Sequence, residues 1–482
     1  MTLNRRKSHS TASKSTSTAS KSTSTSSKIQ KHPTSEAESM ILFDVQLEEW
    51  VKKSADNHVF VEKEKGIPAS AYFLLGSYAS DGDIHVAHAS KCPVHSSALA
   101  ENAPETAKLL EEDWMADNAE RLLRMLPGGI NIVGIAWFSE KKTFSERKPQ
   151  IHKTLRRIHK MNNTMTHGNV DETISESLIT VFFETASVVP VGSIVDVANR
   201  GNDSAQKVQY QKLEWISIVT NASARIVHNV PIETGRPSDF HSDFKVATKN
   251  FVKNLFNCPY TLLDGEIRDL KEPLVKDMKK NKKTTIEAQL FLDPLYNRES
   301  GAVDDIASNM HEVLFDIEVR AAVPIRSTVK DAIRAVKHHL VRNLFARVEL
   351  HYESMEVVEE EKGPKTGITV HQLPRPATTV LHQHPALLLN DFLFEADNVE
   401  DAQKNFDDMM DLQTSIEHVD EGWERALTPE EMEAVRTPIE DLRFVDYDGS
   451  SDSWCSTKTL LITIAIIIGL LASIIYFTVA HS

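Results

Sequence analysis

The sequence predicts a mixed α+β or α/β cytosolic body, with packed helices on mixed sheets, and one transmembrane helix at the carboxy terminus. Three observations carry this: β-like apolar runs alternate with helix-spaced stretches from residue 40 to 394, an acidic stretch follows, and Leu460–Ala480 holds no ionisable side chain. A formal charge of −15 disfavours a nucleic-acid partner, because phosphate binding needs a basic face. Three cysteines, Cys92, Cys258 and Cys455, give no disulfide framework and fit a reducing compartment.

Residues 1–39 are rich in Ser, Thr and Lys, with ASKSTST at 12–18 repeated at 19–25. Such a segment cannot form a core and is expected to be disordered, serving as a phosphorylation platform or as a non-essential extension. It is basic but lacks the apolar stretch of a signal peptide. Met40 opens the folded part and is an alternative start.

An amino-terminal α/β domain is expected over 40–200. MILFDVQLEEWVKKS reads as an apolar run followed by a helix, and AYFLLGSYAS and DIHVAHAS as a hairpin turning at Asp81-Gly82. Residues 104–126 place Met115, Ala119, Leu122 and Leu126 on one helical face, and PGG ends that helix. INIVGIAWF reads as a buried strand, IHKTLRRIHKM as a helix and LITVFFETAS as a central strand.

A second, β-rich lobe is expected over 201–394. VQYQKLEWISIVTNASARIVHNVPI, TIEAQLFLD and EVLFDIEVRAAVPI supply its strands. A long helix is expected over 328–352, started by a Thr328/Asp331 capping box and striped by Val329, Ile333, Val336, Leu340 and Leu344. The stripe faces either the core or a coiled-coil partner. HQLPRPATTVLHQHPALLLNDFLF (371–394) reads as extended packing segments, and 395–458 as an acidic flexible tether.

Residues 459–480 then read as a membrane anchor. At about 1.5 Å per residue the run spans roughly 31 Å, the thickness of a bilayer's hydrocarbon core. Only His481 and Ser482 follow, so a tail anchor is expected, inserted after synthesis, with the bulk of the chain in the cytosol. Leu460, Ile464, Ile468, Gly469, Leu471, Ser473, Tyr476 and Ala480 mark this anchor. Gly469 and Ser473 form a small-xxx-small pair that could pack on another membrane helix.

Catalytic patterns are weak. His85, His88, Cys92 and His95 lie within eleven residues and form the best metal or nucleophile candidate, so a hydrolase with a His/Cys or metal site near His85–His95 is the alternative reading. His382 and His384 in HQHP resemble the ligand run of JAMM-type zinc isopeptidases, but Leu393 and Ala396 stand at that motif's Ser and Asp positions, so the match is read as chance. No Gly-rich phosphate loop, G-x-S-x-G elbow or H-E-x-x-H is present. Neither a catalytic residue, a metal nor a cofactor is expected.

EEDWMADNAERLLRMLPGGINIVGIAWFS (111–139) resembles the odorant response abnormal protein four family. The motif residues are Trp114, Arg124, Met125, Leu126, Pro127, Gly128, Gly129 and Gly134. VKDAIRAVKHHL (329–340) resembles that family's late helix and LPRPATTVL (373–381) its Pro-rich segment. The resemblance implies a non-enzymatic trafficking factor at the endoplasmic reticulum or on cytoplasmic vesicles. Its clients would be odorant-type G-protein-coupled receptors bound for sensory cilia in nematodes, and its partner a Ufm1-specific protease. The first domain is also similar to an MPN-type domain, with Ser139, Glu140 and Lys141 where an active member has His-x-His, which implies a catalytically inactive copy.

Overall fold

A computed structural model describes residues 39–79, 82–95, 111–165, 177–185, 187–197, 203–231, 237–276, 284–291, 308–358, 368–394 and 397–421. Among them no helix is long and apolar enough to cross a membrane. The expected anchor, Leu460, Ile464, Ile468, Gly469, Leu471, Ser473, Tyr476 and Ala480, lies outside the described residues, as does the Ser/Thr/Lys-rich extension.

The first sheet has eight strands. In chain order they are β1 (Ile41–Asp44), β2 (Ala69–Tyr78), β3 (Ile84–Lys91), β4 (Asn131–Ser139), β5 (Ser177–Glu184), β6 (Pro190–Asp196), β7 (Asp203–Gln206) and β8 (Val208–Gln211). Their spatial order is β7-β6-β5-β4-β2-β3-β1-β8. β2 and β3 form the expected antiparallel hairpin, and Gly82 takes a φ of 92° in its turn, a conformation that glycine reaches without a steric penalty. β1 is buried along its whole length between parallel partners β3 and β8, which explains why the three residues before Asp44 are apolar. β4 and β5 are parallel, and α3 (Lys141–Met165) connects them. α3 begins ten residues before the predicted helix and carries Pro149 inside it.

α1 (Leu47–Lys65) and α2 (Glu112–Met125) cover the sheet. Met115, Ala119, Leu122 and Leu126 are buried, as the helical spacing predicts.

A second sheet has the order β10-β11-β9-β12-β13. Its strands are β9 (Trp215–Pro231), β10 (Thr261–Leu263), β11 (Thr285–Leu290), β12 (Ser308–Pro324) and β13 (Ile368–Gln372), with α4 (Pro237–Asn257) following β9. β9 and β12 run antiparallel over seventeen pairs, from Ser308 opposite Pro231 to Pro324 opposite Trp215. α5 (Val329–Val358) packs on them; Val329, Val336, Leu340 and Leu344 lie in that core and Ile333 is partly buried against it. The stripe is therefore core-facing and not a coiled-coil seam. Its start is the predicted capping box: the Thr328 amide donates to Asp331 Oδ2 at 2.9 Å and the Asp331 amide to Thr328 Oγ1 at 3.3 Å.

Two boundaries differ from the sequence reading. β7 and β8 follow residue 200 yet complete the first sheet, because β8 supplies the backbone partner that β1 needs on its outer edge. The expected tether starts too early: α6 (Val399–Met410) buries Ala402, Phe406 and Met410 in the first core, and Asp420 pairs with Thr378. The acidic residues of α6 occupy its outer face, so the charge density that suggested a tether belongs to an amphipathic helix. β14 (Arg375–Leu381) and β15 (His384–Leu393) form a hairpin that packs into the same core.

Candidate functional site: the turn at 126–131 and the helix that holds it

The family-like turn Leu126-Pro127-Gly128-Gly129-Ile130-Asn131 sits against α5. Arg342 is 1% exposed. One of its guanidinium nitrogens donates to the carbonyls of Leu126 and Pro127 at 3.2 Å each and of Ile130 at 2.9 Å, and the other reaches Asn131 Oδ1 at 2.6 Å. No carboxylate is among these acceptors; four oxygen dipoles solvate the charge in place of water. Burial pushes the Arg342 pKa down to about 10, so the group stays cationic at neutral pH.

His339, one turn earlier, accepts the Gly128 amide on Nδ1 at 3.0 Å. Burial and the neighbouring Arg342 push its pKa down to about 3, so the ring is neutral, with Nδ1 the acceptor and the proton on Nε2. The Ala322 amide of β12 donates to the Gly128 carbonyl at 2.9 Å. A Cβ on Gly128 would land on the Ala335 carbonyl oxygen, and one on Gly129, whose φ is +88°, on that of Ala322. Both glycines are thus fixed by close backbone approach.

The other motif residues extend the same junction. Arg124 on α2 pairs with Glu120 at 3.3 Å and with Glu349 of α5 at 3.6 Å. Met125 and Leu126 are buried. Trp114 donates its indole N–H to the Pro93 carbonyl at 2.7 Å, tying α2 to the segment after β3. Gly134 lies away from the turn, in β4, where a Cβ would strike the Ile179 carbonyl of β5. Farther along α5, Arg347 Nε donates to the Pro374 carbonyl at 2.6 Å, so the Pro-rich segment is held by the same helix. The stretches 111–139 and 373–381 therefore converge on α5, the helix that carries 329–340.

Sequence reasoning identified the turn but missed Arg342, His339 and Arg347. A signal existed: in HHLVRNLFAR apolar residues fall on every face, which leaves no outer face for the basic ones.

The histidine and cysteine run is occupied by packing. His88 Nε2 bonds the Met410 carbonyl at 2.7 Å, His85 meets the Trp215 ring edge to face, and His95 meets Trp114 likewise. Cys92 is buried and its thiol is pushed up to about 12, the protonated form at neutral pH. His384 of HQHP is buried 3.6 Å from Asp44 Oδ2, and Asp44 also accepts the Gln46 and Leu213 amides. Ser139 Oγ accepts the Trp137 indole N–H at 3.1 Å. Among the described residues no group of three or more His, Cys, Asp or Glu is arranged to hold a metal ion.

The family model described as odorant response abnormal 4-like matches residues 72–421. The chain belongs to the odorant response abnormal 4-like family. It is 80% identical to odorant response abnormal protein 4 of Caenorhabditis elegans over 482 residues, the whole of both chains. It is 22% identical to the odr-4 homolog of Xenopus tropicalis over 414 residues, 81% of this chain and 90% of that one. For the Mus musculus odr-4 homolog the identity is 23% over 378 residues, 74% and 81% of the two chains. Among solved structures, the UfSP crystal structure from Caenorhabditis elegans matches with a TM-score of 0.37 at 11% identity, over 78% of this chain and 57% of that one. The family match ends at Glu421, the last described residue, and its span takes in the turn, α5 and α6 of this odorant response abnormal 4-like protein.

Proposed function

We propose that this protein is a membrane-anchored, non-enzymatic adaptor. It promotes folding, export from the endoplasmic reticulum and delivery to sensory cilia of a subset of odorant-type G-protein-coupled receptors, by holding a Ufm1-specific protease at the membrane. The observation that carries the reading is the full-length 80% identity to a protein named for its odorant response. The uncharged run Leu460–Ala480 supports the membrane part, since it is long enough to span a bilayer and would raise the local concentration of a bound soluble partner near membrane clients. The geometry of the site fits an adaptor: Arg342 and His339 of α5 hold the backbone of the turn as a fixed scaffold.

The test compares the full chain with one ending before Thr459, each recovered from detergent-solubilised membranes and probed for co-purifying proteins. Recovery of the protease with both, and of receptors only with the anchored form, is expected. Receptor delivery that survives the truncation would refute the anchoring mechanism, and absence of the protease from both would refute the partner.

A further inference from the structure

A cavity of about 250 Å³ lies at one end of the first sheet, far in sequence from the turn. Its walls come from the last turn of α1, the first residues of β2 and the segment that leaves β3. Gly66, at a φ of 63°, ends α1 in the left-handed conformation, and Val61 before it and Ile67 and Ala69 after it line the cavity. Pro93 and Val94 line it as well.

The polar groups on this apolar surface are Lys65, Lys91 and Ser70. Neither lysine has an ion-pair partner among the described residues, although acidic side chains outnumber basic ones in the chain by 69 to 54. Ser70 Oγ is bonded to His58 Nδ1 at 3.0 Å, and His58 is fully buried behind it. The Ser70 hydroxyl is thus engaged by the buried ring, which leaves the two lysines as the charged groups of the lining. The volume falls below the roughly 300–1,000 Å³ of a whole-cofactor pocket and suits one end of a chain molecule.

We infer that this cavity binds a carboxylate carried on a short aliphatic group, with Lys65 and Lys91 flanking the carboxylate and Val61, Ile67 and Val94 covering the tail. Two sources share that chemistry: the carboxy terminus of a peptide with an apolar last residue, and a short-chain fatty acid. The inference stands apart from the proposed adaptor role and neither depends on the other.

Acylation footprinting on the full chain in mild detergent tests it. Lysine modification is read residue by residue by mass spectrometry, with hexanoate, a tripeptide ending in Leu, and the amides of both as probes. Both carboxylates are expected to protect Lys65 and Lys91 at millimolar concentration while Lys52 and Lys53, exposed earlier on α1, stay reactive. Lys65→Gln and Lys91→Gln are each expected to weaken protection of the remaining lysine about three- to fivefold, the effect of losing one partly exposed charge pair. Tighter protection by the peptide assigns a peptide terminus and tighter protection by hexanoate a fatty acid. Equal protection by the amides, protection that ignores the lysine substitutions, or none with any probe overturns the inference.

Discussion

Replacing Arg342 by leucine tests whether the turn at 126–131 is held by α5. The substitution removes the guanidinium donors from the Leu126, Pro127 and Ile130 carbonyls and from Asn131 Oδ1. The Pro127 carbonyl keeps a second partner, the Ile130 amide at 3.2 Å, so the buried Leu126 and Ile130 carbonyls lose these bonds outright, while Asn131 Oδ1 is only partly buried. An orphaned buried acceptor costs about 1–3 kcal/mol, and the low end of that range applies because the apolar replacement no longer requires a buried charge. The net expected loss is about 2–3 kcal/mol. Arg342→Lys should lose about half as much, since an ammonium keeps the charge and up to three donors but cannot span the fork. Urea titration of the full chain in detergent, followed by tryptophan fluorescence, measures both. An Arg342→Leu variant within about 1 kcal/mol of the parent would refute the reasoning, because the carbonyls would then be satisfied without α5.

Further outcomes follow from the same geometry. Gly128→Ala and Gly129→Ala should prevent stable folding, because each new methyl meets a backbone oxygen that cannot move aside, whereas Gly265→Ala, with open space around it, should cost only about 1 kcal/mol for its φ of 80°; soluble yield and thermal melting separate these cases. Phe406→Ala should destabilise by about 3–5 kcal/mol if α6 belongs to the core, and by nearly nothing if 395–458 is a tether throughout, as the same urea titration would show. His338 and His339 have folded pKa values pushed by burial to about 3 against about 6.5 unfolded, so the unfolded chain binds more protons in that window. Their stabilising contribution is complete above pH about 6.5 and falls as pH drops toward 3, at up to about 2.7 kcal/mol per pH unit for the two together, and a stability that stayed flat from pH 7 to 5 would contradict their burial as neutral rings.

Most strands and helices of the body were legible in the sequence because each carries one dominant period. The β2–β3 hairpin, the α2 face and the Thr328/Asp331 cap all follow from local chemistry that tertiary contacts reinforce. What was not legible depends on distant pairing. β8 reads as a strand of the second lobe, and only its pairing with β1 assigns it to the first sheet. α6 looked like part of a solvated acidic stretch because its apolar residues Ala402, Phe406 and Met410 are spaced four apart among acids, a stripe too narrow to stand out from that composition. Pairing of Arg342 with carbonyls instead of carboxylates left no opposite charge in the sequence to mark it.

The stretches that made the family recognisable thus owe their pattern to folding. Gly128 and Gly129 are excluded from bearing a side chain by backbone oxygens, and His339 Nδ1, the two terminal guanidinium nitrogens of Arg342 and Arg347 Nε bond groups within the body, while His339 Nε2 and Arg342 Nε are buried without a partner. All three side chains are buried, so a partner at the surface does not reach them. Surfaces that recognise clients or a protease must therefore be sought among exposed groups, such as Val189 just before β6 and Val191 on it, or Tyr260 and Ile267 beside β10. The two kinds of residue separate by experiment: substitutions in the turn should lower the amount of folded protein and its function in proportion, whereas an Ile267→Asp change that struck a recognition surface would remove function with stability intact.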